Sequence, residues 1–179
     1  MGPRAEQERG VARFEESVLP HIDSAYNLAR WLTRNGHDAE DLVQEALLRA
    51  FQAFRGFRGA DGRAWLLAIV RNACYTWLGR NRQQELTTEF DEEVHTLEGD
   101  ALNPERLVLR EGDRARVRQA LEELPAEFRE VLVLREIEGL SYKEIGTVAD
   151  IPVGTVMSRL ARARSRLLRG LAARPGEER

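Results

Sequence analysis

The chain has 179 residues, of which 27 are basic and 30 acidic, giving a net charge of −3. That length fits one compact domain or two small ones, and the slight acidic excess argues, taken as a whole, against a nucleic-acid binder. No apolar run approaches the ~18–20 residues of a membrane-crossing helix, the N-terminal MGPRAEQERGVARF lacks a signal core, and the single cysteine, Cys74, excludes a disulfide framework and fits a reducing cytoplasm.

The charge is unevenly spread. Residues 1–84 carry +2, residues 85–113 carry −8 and residues 114–179 carry +3. Two stretches are basic without any acid, Arg63–Gln84 and Met157–Arg174. The pattern predicts two basic surfaces, residues 1–84 and 114–174, joined by a flexible acidic linker over 85–113.

Helical periodicity dominates on both sides of the linker. Ile22, Tyr26, Ala29 and Leu32 recur at helical spacing, with Gly36 placed to end that helix. Asp38 is expected to cap the next, in which Leu42, Val43, Ala46, Leu47, Ala50, Phe51 and Phe54 form an apolar stripe. Phe57–Gly62 reads as a loop, followed by a helix burying Leu66, Ile69, Val70, Ala73 and Trp77. Phe14, Trp31, Phe51, Phe54, Trp65 and Trp77 are assigned to the core, as is Cys74. Pro104 opens a helix to about Leu124, and Pro125 opens another that carries Phe128, Val131, Leu132, Leu134 and Arg135. No strand pattern appears, so the expected fold is all-α, as two small helical bundles.

Ser141–Arg166 is the most informative segment. Ser141 and Glu144 have the spacing of a capping box, which opens a helix of about two turns. Asp150-Ile151-Pro152 turns the chain into a second helix from Val153. This is the spacing of a helix-turn-helix, although a structural helical hairpin has the same spacing. Gly146 sits where the two helices must approach closely, and Val148, Ile151, Val156 and Leu160 supply the contacts between them. The second helix opens with Gly154, Thr155 and Ser158 and continues with Arg159, Arg162 and Arg166, which suits phosphates at its N-terminus and guanine edges along it.

Three segments together resemble one family. DAEDLVQEALLRAF (Asp38–Phe51), RAWLLAIVRNACYTWLGRNR (Arg63–Arg82) and LPAEFREVLVLREIEGLSYKEI with IPVGTVMSRLARARSRL (Leu124–Leu167) are similar, in order, to segments of the bacterial sigma-70 family. The likeness is to its extracytoplasmic-function (ECF) group, which keeps only the second and fourth sigma domains. The resemblance implies a promoter-specificity subunit, not an enzyme, that needs no cofactor or metal and works in the cytoplasm. Its implied partners are core RNA polymerase, through the clamp helices and flap, promoter DNA and an anti-sigma factor.

By this resemblance Asp38, Asp41, Gln44, Glu45 and Arg49 dock on polymerase. Arg58, Asp61, Arg71, Asn72, Tyr75, Arg80 and Arg82 serve the −10 element, where planar groups catch unstacked bases and arginines hold the backbone. Thr155, Ser158, Arg159, Arg162 and Arg166 serve the −35 element. The linker is expected to run along the nucleic-acid path of the polymerase, or to lie against the basic helix Ser158–Arg169 in the free protein. Met157 is a departure, because relatives often carry Lys or Arg there. The alternative is a stand-alone helix-turn-helix regulator, which predicts a dimer on a palindromic operator without polymerase. His21, His37 and His95 lie on separate elements and support no catalytic site.

Overall fold

The computed structural model describes residues 3–85 and 104–172. Eight α-helices span them: α1 Pro3–Ser17, α2 Ile22–Thr33, α3 Gly36–Ala53, α4 Gly62–Glu85, α5 Pro104–Glu122, α6 Ala126–Leu132, α7 Tyr142–Ala149 and α8 Val153–Ala172. There is no strand among the described residues, which agrees with the all-α expectation. The core of the expected linker, 86–103, lies outside the described residues, and so do the two courses expected for it; α5 begins within the range first given to the linker.

In the N-terminal bundle α2, α3 and α4 pack on one another around Leu28, Leu32, Val43, Ala46, Leu66, Leu67 and Val70. The turn between α2 and α3 corrects the sequence reading. α2 ends on Arg34, which adopts the left-handed conformation at φ 60°, and Gly36 is the first residue of α3 instead of the end of α2. The cap is Asn35 and not Asp38: its side-chain carbonyl accepts the N–H groups of His37 (2.9 Å) and Asp38 (3.2 Å). A short amide beside a left-handed residue reverses the chain in two positions, so α3 starts earlier than its acidic first turn suggests. Asp61 opens α4 in the same way, accepting from the Ala64 N–H at 2.9 Å.

Phe14 and Phe54 are buried as expected, with Phe14 edge-on to Phe54 at 5.3 Å. Phe51 is not a core residue: it is 50% exposed and lies edge-on to Phe14, at 5.2 Å. Trp31, Trp65 and Trp77 pack on the core half-buried. Gly62 brings α1 and α4 together, because a Cβ there would lie 2.1 Å from the Ser17 carbonyl oxygen.

In the C-terminal bundle α6 runs into a π-helical turn, Val133–Ile137, and Gly139 at φ 68° ends it. Ser141 and Glu144 form the expected capping box, the Ser hydroxyl accepting from the Glu144 N–H at 3.2 Å and the Glu carboxylate accepting from the Ser141 N–H at 2.6 Å. Asp150 tolerates φ 53° and turns the chain toward α8. At Gly146 a Cβ would stand 2.9 Å from the Ile151 carbonyl oxygen, so α7 crosses the turn at a distance only glycine meets without adjustment. Ile145, Val148, Val156, Leu160 and Ala163 close this core.

The two bundles touch. α4 packs against α7, and α2 packs against α6 and the π turn.

Candidate nucleic-acid interface

α8 buries Val156, Leu160 and Ala163 and turns Gly154, Ser158, Ala161 and Ser165 outward. Thr155 is half-buried, and the exposed Ser158 hydroxyl donates to the Thr155 carbonyl at 3.1 Å. Ser158 therefore faces solvent as an acceptor. The α8 arginines divide into two sets. Arg164 donates to Glu136 at 2.6 and 3.2 Å, and Arg166 lies over the Phe128 ring at 4.6 Å. Both contacts tie α8 to α6 and the π turn that follows it. Arg159 and Arg162 have no ion-pair partner among the described residues, and Arg162 is exposed. Arg162 is thus free in solvent and Arg159 half-buried without an ion-pair partner among the described residues, while Arg166 has a packing contact.

On α3, Asp41, Gln44, Glu45 and Arg49 are exposed and Asp38 is half-buried, with Glu45 and Arg49 ion-paired one turn apart. A cleft of about 250 Å³ runs between this face and α4; Asp41, Glu45 and Arg49 line one wall and Thr76, Trp77 and Arg80 the other. Asp38, Asp41, Glu45 and Arg49 of the residues assigned to polymerase and Arg80 of the −10 set therefore border one cleft. Arg58, Asn72, Arg80 and Arg82 are exposed, Arg58 making only a long 3.4 Å contact to the Arg55 carbonyl. Asp61 is exposed and already serves as a cap.

Arg71 and Tyr75 are engaged across the bundles. Glu130 of α6 has a fully buried side chain, and it accepts from Arg71 Nε at 2.5 Å and from the Tyr75 hydroxyl at 2.9 Å. The Arg71 guanidinium also lies over the Tyr75 ring at 4.2 Å. Burial opposes the charge on Arg71, yet the hydrogen bond and charge of Glu130 raise its pKa overall. Burial first, then the same carboxylate, drives the Tyr75 phenol above its ordinary range. Nothing in the sequence marked Glu130 as different from its neighbours.

A second cross-bundle pair escaped the sequence reading as well. Arg63 of α4 donates to the Glu138 carboxylate at 2.8 Å and to its backbone carbonyl at 2.7 Å, and Asn27 donates to the same carboxylate at 2.9 Å. Burial opposes the Glu138 charge, but hydrogen bonds from Ser24, Asn27 and Arg63 hold its carboxyl below the usual range. Arg129, next to Glu130, is also buried, and burial followed by the nearby Arg34 charge lowers its pKa to about 10.

Residues 18–84 match the model of Sigma-70 region 2, and residues 114–167 match that of Sigma-70 region 4. The chain is 38% identical over 173 residues to the RNA polymerase sigma-H factor of Pseudomonas aeruginosa, covering 92% of this chain and 89% of that protein. It is 36% identical over 173 residues to the ECF RNA polymerase sigma factor SigE of Mycolicibacterium smegmatis, covering 95% of this chain and 66% of that protein's length. Among solved structures, the sigma factor RpoE of Bartonella quintana, determined with the anti-sigma factor NepR, superposes with a TM-score of 0.69 at 28% identity, over 89% of this chain and 97% of that one. CnrH, determined with the cytosolic domain of CnrY, superposes with a TM-score of 0.64 at 27% identity, over 90% of this chain and 89% of that one. With both family regions in order on two helical bundles, the chain belongs to the sigma-70 family of RNA polymerase sigma factors, in its ECF group.

Proposed function

We propose that this chain binds core RNA polymerase in the cytoplasm and directs it to promoters through region 2 at the −10 element and region 4 at the −35 element. The occurrence of both regions in one chain, each on its own helical bundle, carries the reading. It also disfavours the stand-alone regulator, which needs no region 2. The sigma regions are initiation modules, and the proposed role involves no catalysis by this chain.

Residues 1–84 form the polymerase and −10 module and residues 114–174 the −35 module. Asp38, Asp41, Gln44, Glu45 and Arg49 dock on the clamp helices. Arg159 and Arg162 read −35 bases or phosphates, assisted by Thr155 and Ser158. Arg71, Asn72, Tyr75, Arg80 and Arg82 engage the opened −10 strand, next to the Arg58–Asp61 loop. Support comes from exposure for most of these residues, and from the cleft that links Glu45 and Arg49 to Arg80. Arg71 and Tyr75 cannot hold DNA while Glu130 holds them, so the described arrangement is a closed one and promoter binding requires the bundles to separate.

An anti-sigma factor is the third partner. The similar RpoE structure was determined with the anti-sigma factor NepR, and an apolar groove of about 550 Å³ opens here beside Trp31, Val117, Leu121, Ile137 and Leu167, ready to take a partner's apolar segment.

Run-off transcription with purified core polymerase on a promoter library tests the whole reading, alongside gel shifts with and without core. Promoter-specific transcripts that depend on both proteins are expected. A palindrome bound tightly without core, and no transcripts with it, would establish the stand-alone regulator.

A further inference from the structure

The outward side of α8 carries an exposed apolar pair. Met157 is 54% exposed and Val153 42% exposed, one helical turn apart. The inward side of the same helix is already complete, with Val156, Leu160 and Ala163 buried. Val153 borders α7, its Cγ2 3.9 Å from where a Cβ on Gly146 would stand, while Met157 lies outside the core, and the two flank the outward Gly154 and Ser158 on the turn that leads α8. A Cβ added at Gly154 would meet nothing within 4 Å, so the backbone there is open to close approach.

We propose that Met157, supported by Val153, is a specificity-determining residue that reads thymine C5-methyl groups in the −35 element. The inference rests on the reading of α8 as the −35 helix and goes beyond it in naming a base and an atom. The major groove offers donors, acceptors and one apolar feature, the thymine methyl. A thioether side chain has no donor and is a poor acceptor, so it gains little from guanine, adenine or cytosine edges and loses exposed apolar area against a methyl. Its unbranched, flexible chain adapts to a methyl at a range of depths. Ser158 has its proton turned back to the Thr155 carbonyl and presents only an acceptor. Arg162, five residues further along, is exposed and has no ion-pair partner among the described residues, whereas Arg159 is half-buried, so Arg162 is the fork donor suited to guanine. Five residues rise about 7.5 Å, and base pairs stack about 3.4 Å apart, so the methyl read by Met157 lies about two base pairs from the guanine read by Arg162.

The experiment selects −35 sequences from a randomised window, using holoenzyme reconstituted with core polymerase, and then replaces each selected thymine with deoxyuridine, which removes only the methyl. One thymine about two base pairs from a guanine is expected to show about a fourfold loss of holoenzyme binding on conversion to deoxyuridine, the effect of one buried methyl. Met157→Ala should lower binding to the thymine promoter and abolish the difference between thymine and deoxyuridine, with wild-type circular dichroism because the side chain is exposed. The guanine preference should survive in Met157→Ala and vanish in Arg162→Ala. A wild-type protein indifferent to every deoxyuridine, or a Met157→Ala protein that keeps the full methyl dependence, overturns the proposal while the selected −35 element still stands. A selection that enriches no −35 sequence overturns the promoter reading itself.

Discussion

Cys74 is fully buried against the α2–α4 core, and burial, followed by the nearby Glu130 charge, raises its thiol pKa from 9.0 to about 12. A thiol held protonated in that way is a packing residue, as its place on the apolar side of α4 suggested. The folded pKa lies above the unfolded one, so the stabilisation is complete below pH 9 and is lost as pH rises toward 12. Stability from urea melts is expected to fall by about 1 kcal/mol between pH 9 and pH 10, and Cys74→Ala should remove most of that slope. Tyr75 adds a loss of the same sign at higher pH, because its phenol pKa is also raised. Arg129 acts in the opposite direction above about pH 10, where its lowered pKa lets the folded state shed a proton first. Between pH 9 and pH 10 the Tyr75 loss and the Arg129 gain begin with opposite signs and are each smaller than the Cys74 loss, so the part of the slope that Cys74→Ala removes reports the thiol. Ellman's reagent should leave the native thiol unreacted and label it fully in denaturant.

At the scale of the element, the α7–turn–α8 unit was legible because its signals are local. The Ser141–Glu144 box, the left-handed residue at Asp150 and the tight crossing at Gly146 each depend on neighbours within a few positions. Ser141→Ala removes the hydroxyl that accepts from Glu144 N–H, and a loss of about 1 kcal/mol is expected in thermal melts. Gly146→Val sets a branched side chain against the Ile151 carbonyl; a loss of about 1–3 kcal/mol and weakened −35 binding are expected, because α8 must move away from α7. Retained stability and −35 binding in that variant would show that the turn relaxes freely. The start of α3 was misjudged for an equally local reason. Asp38 and Asn35 are both good caps, and the choice between them follows from the left-handed Arg34, which a sequence pattern does not reveal.

At the scale of the whole molecule, the two carboxylates Glu130 and Glu138 join bundles that the sequence treated as separate. Glu130 accepts from Arg71 and Tyr75, the two residues of α4 that the proposed reading gives to the −10 strand. Glu130→Gln leaves the shape and removes the charge. Breaking a buried pair from one side is expected to weaken the closed arrangement by on the order of 3–5 kcal/mol. Small-angle scattering should then show a larger radius of gyration, and single-stranded −10 DNA should bind several-fold more tightly. An unchanged radius and unchanged DNA binding would mean that the bundles stay closed without this pair. Arg63→Ala tests the second contact in the same assay, with a smaller effect expected because its side chain is half-exposed.

Helical content, the capped helix-turn-helix, most of the core and membership in an RNA polymerase sigma family were all determined by the sequence alone. These depend on 3.6-residue periodicity, capping residues and short-range spacing, all of which are written within single segments. The burial of Arg129 and Glu130, the engagement of Arg71 and Tyr75 and the exposure of Phe51 were decided only by the tertiary structure. Each depends on which surface of a distant helix arrives beside it, and a charged residue on a helix looks solvated until its partner comes from more than fifty positions away. The charge balance divides the same way: the sequence shows two basic ends and an acidic middle, and the fold shows that part of the first basic surface is spent on carboxylates of the second bundle.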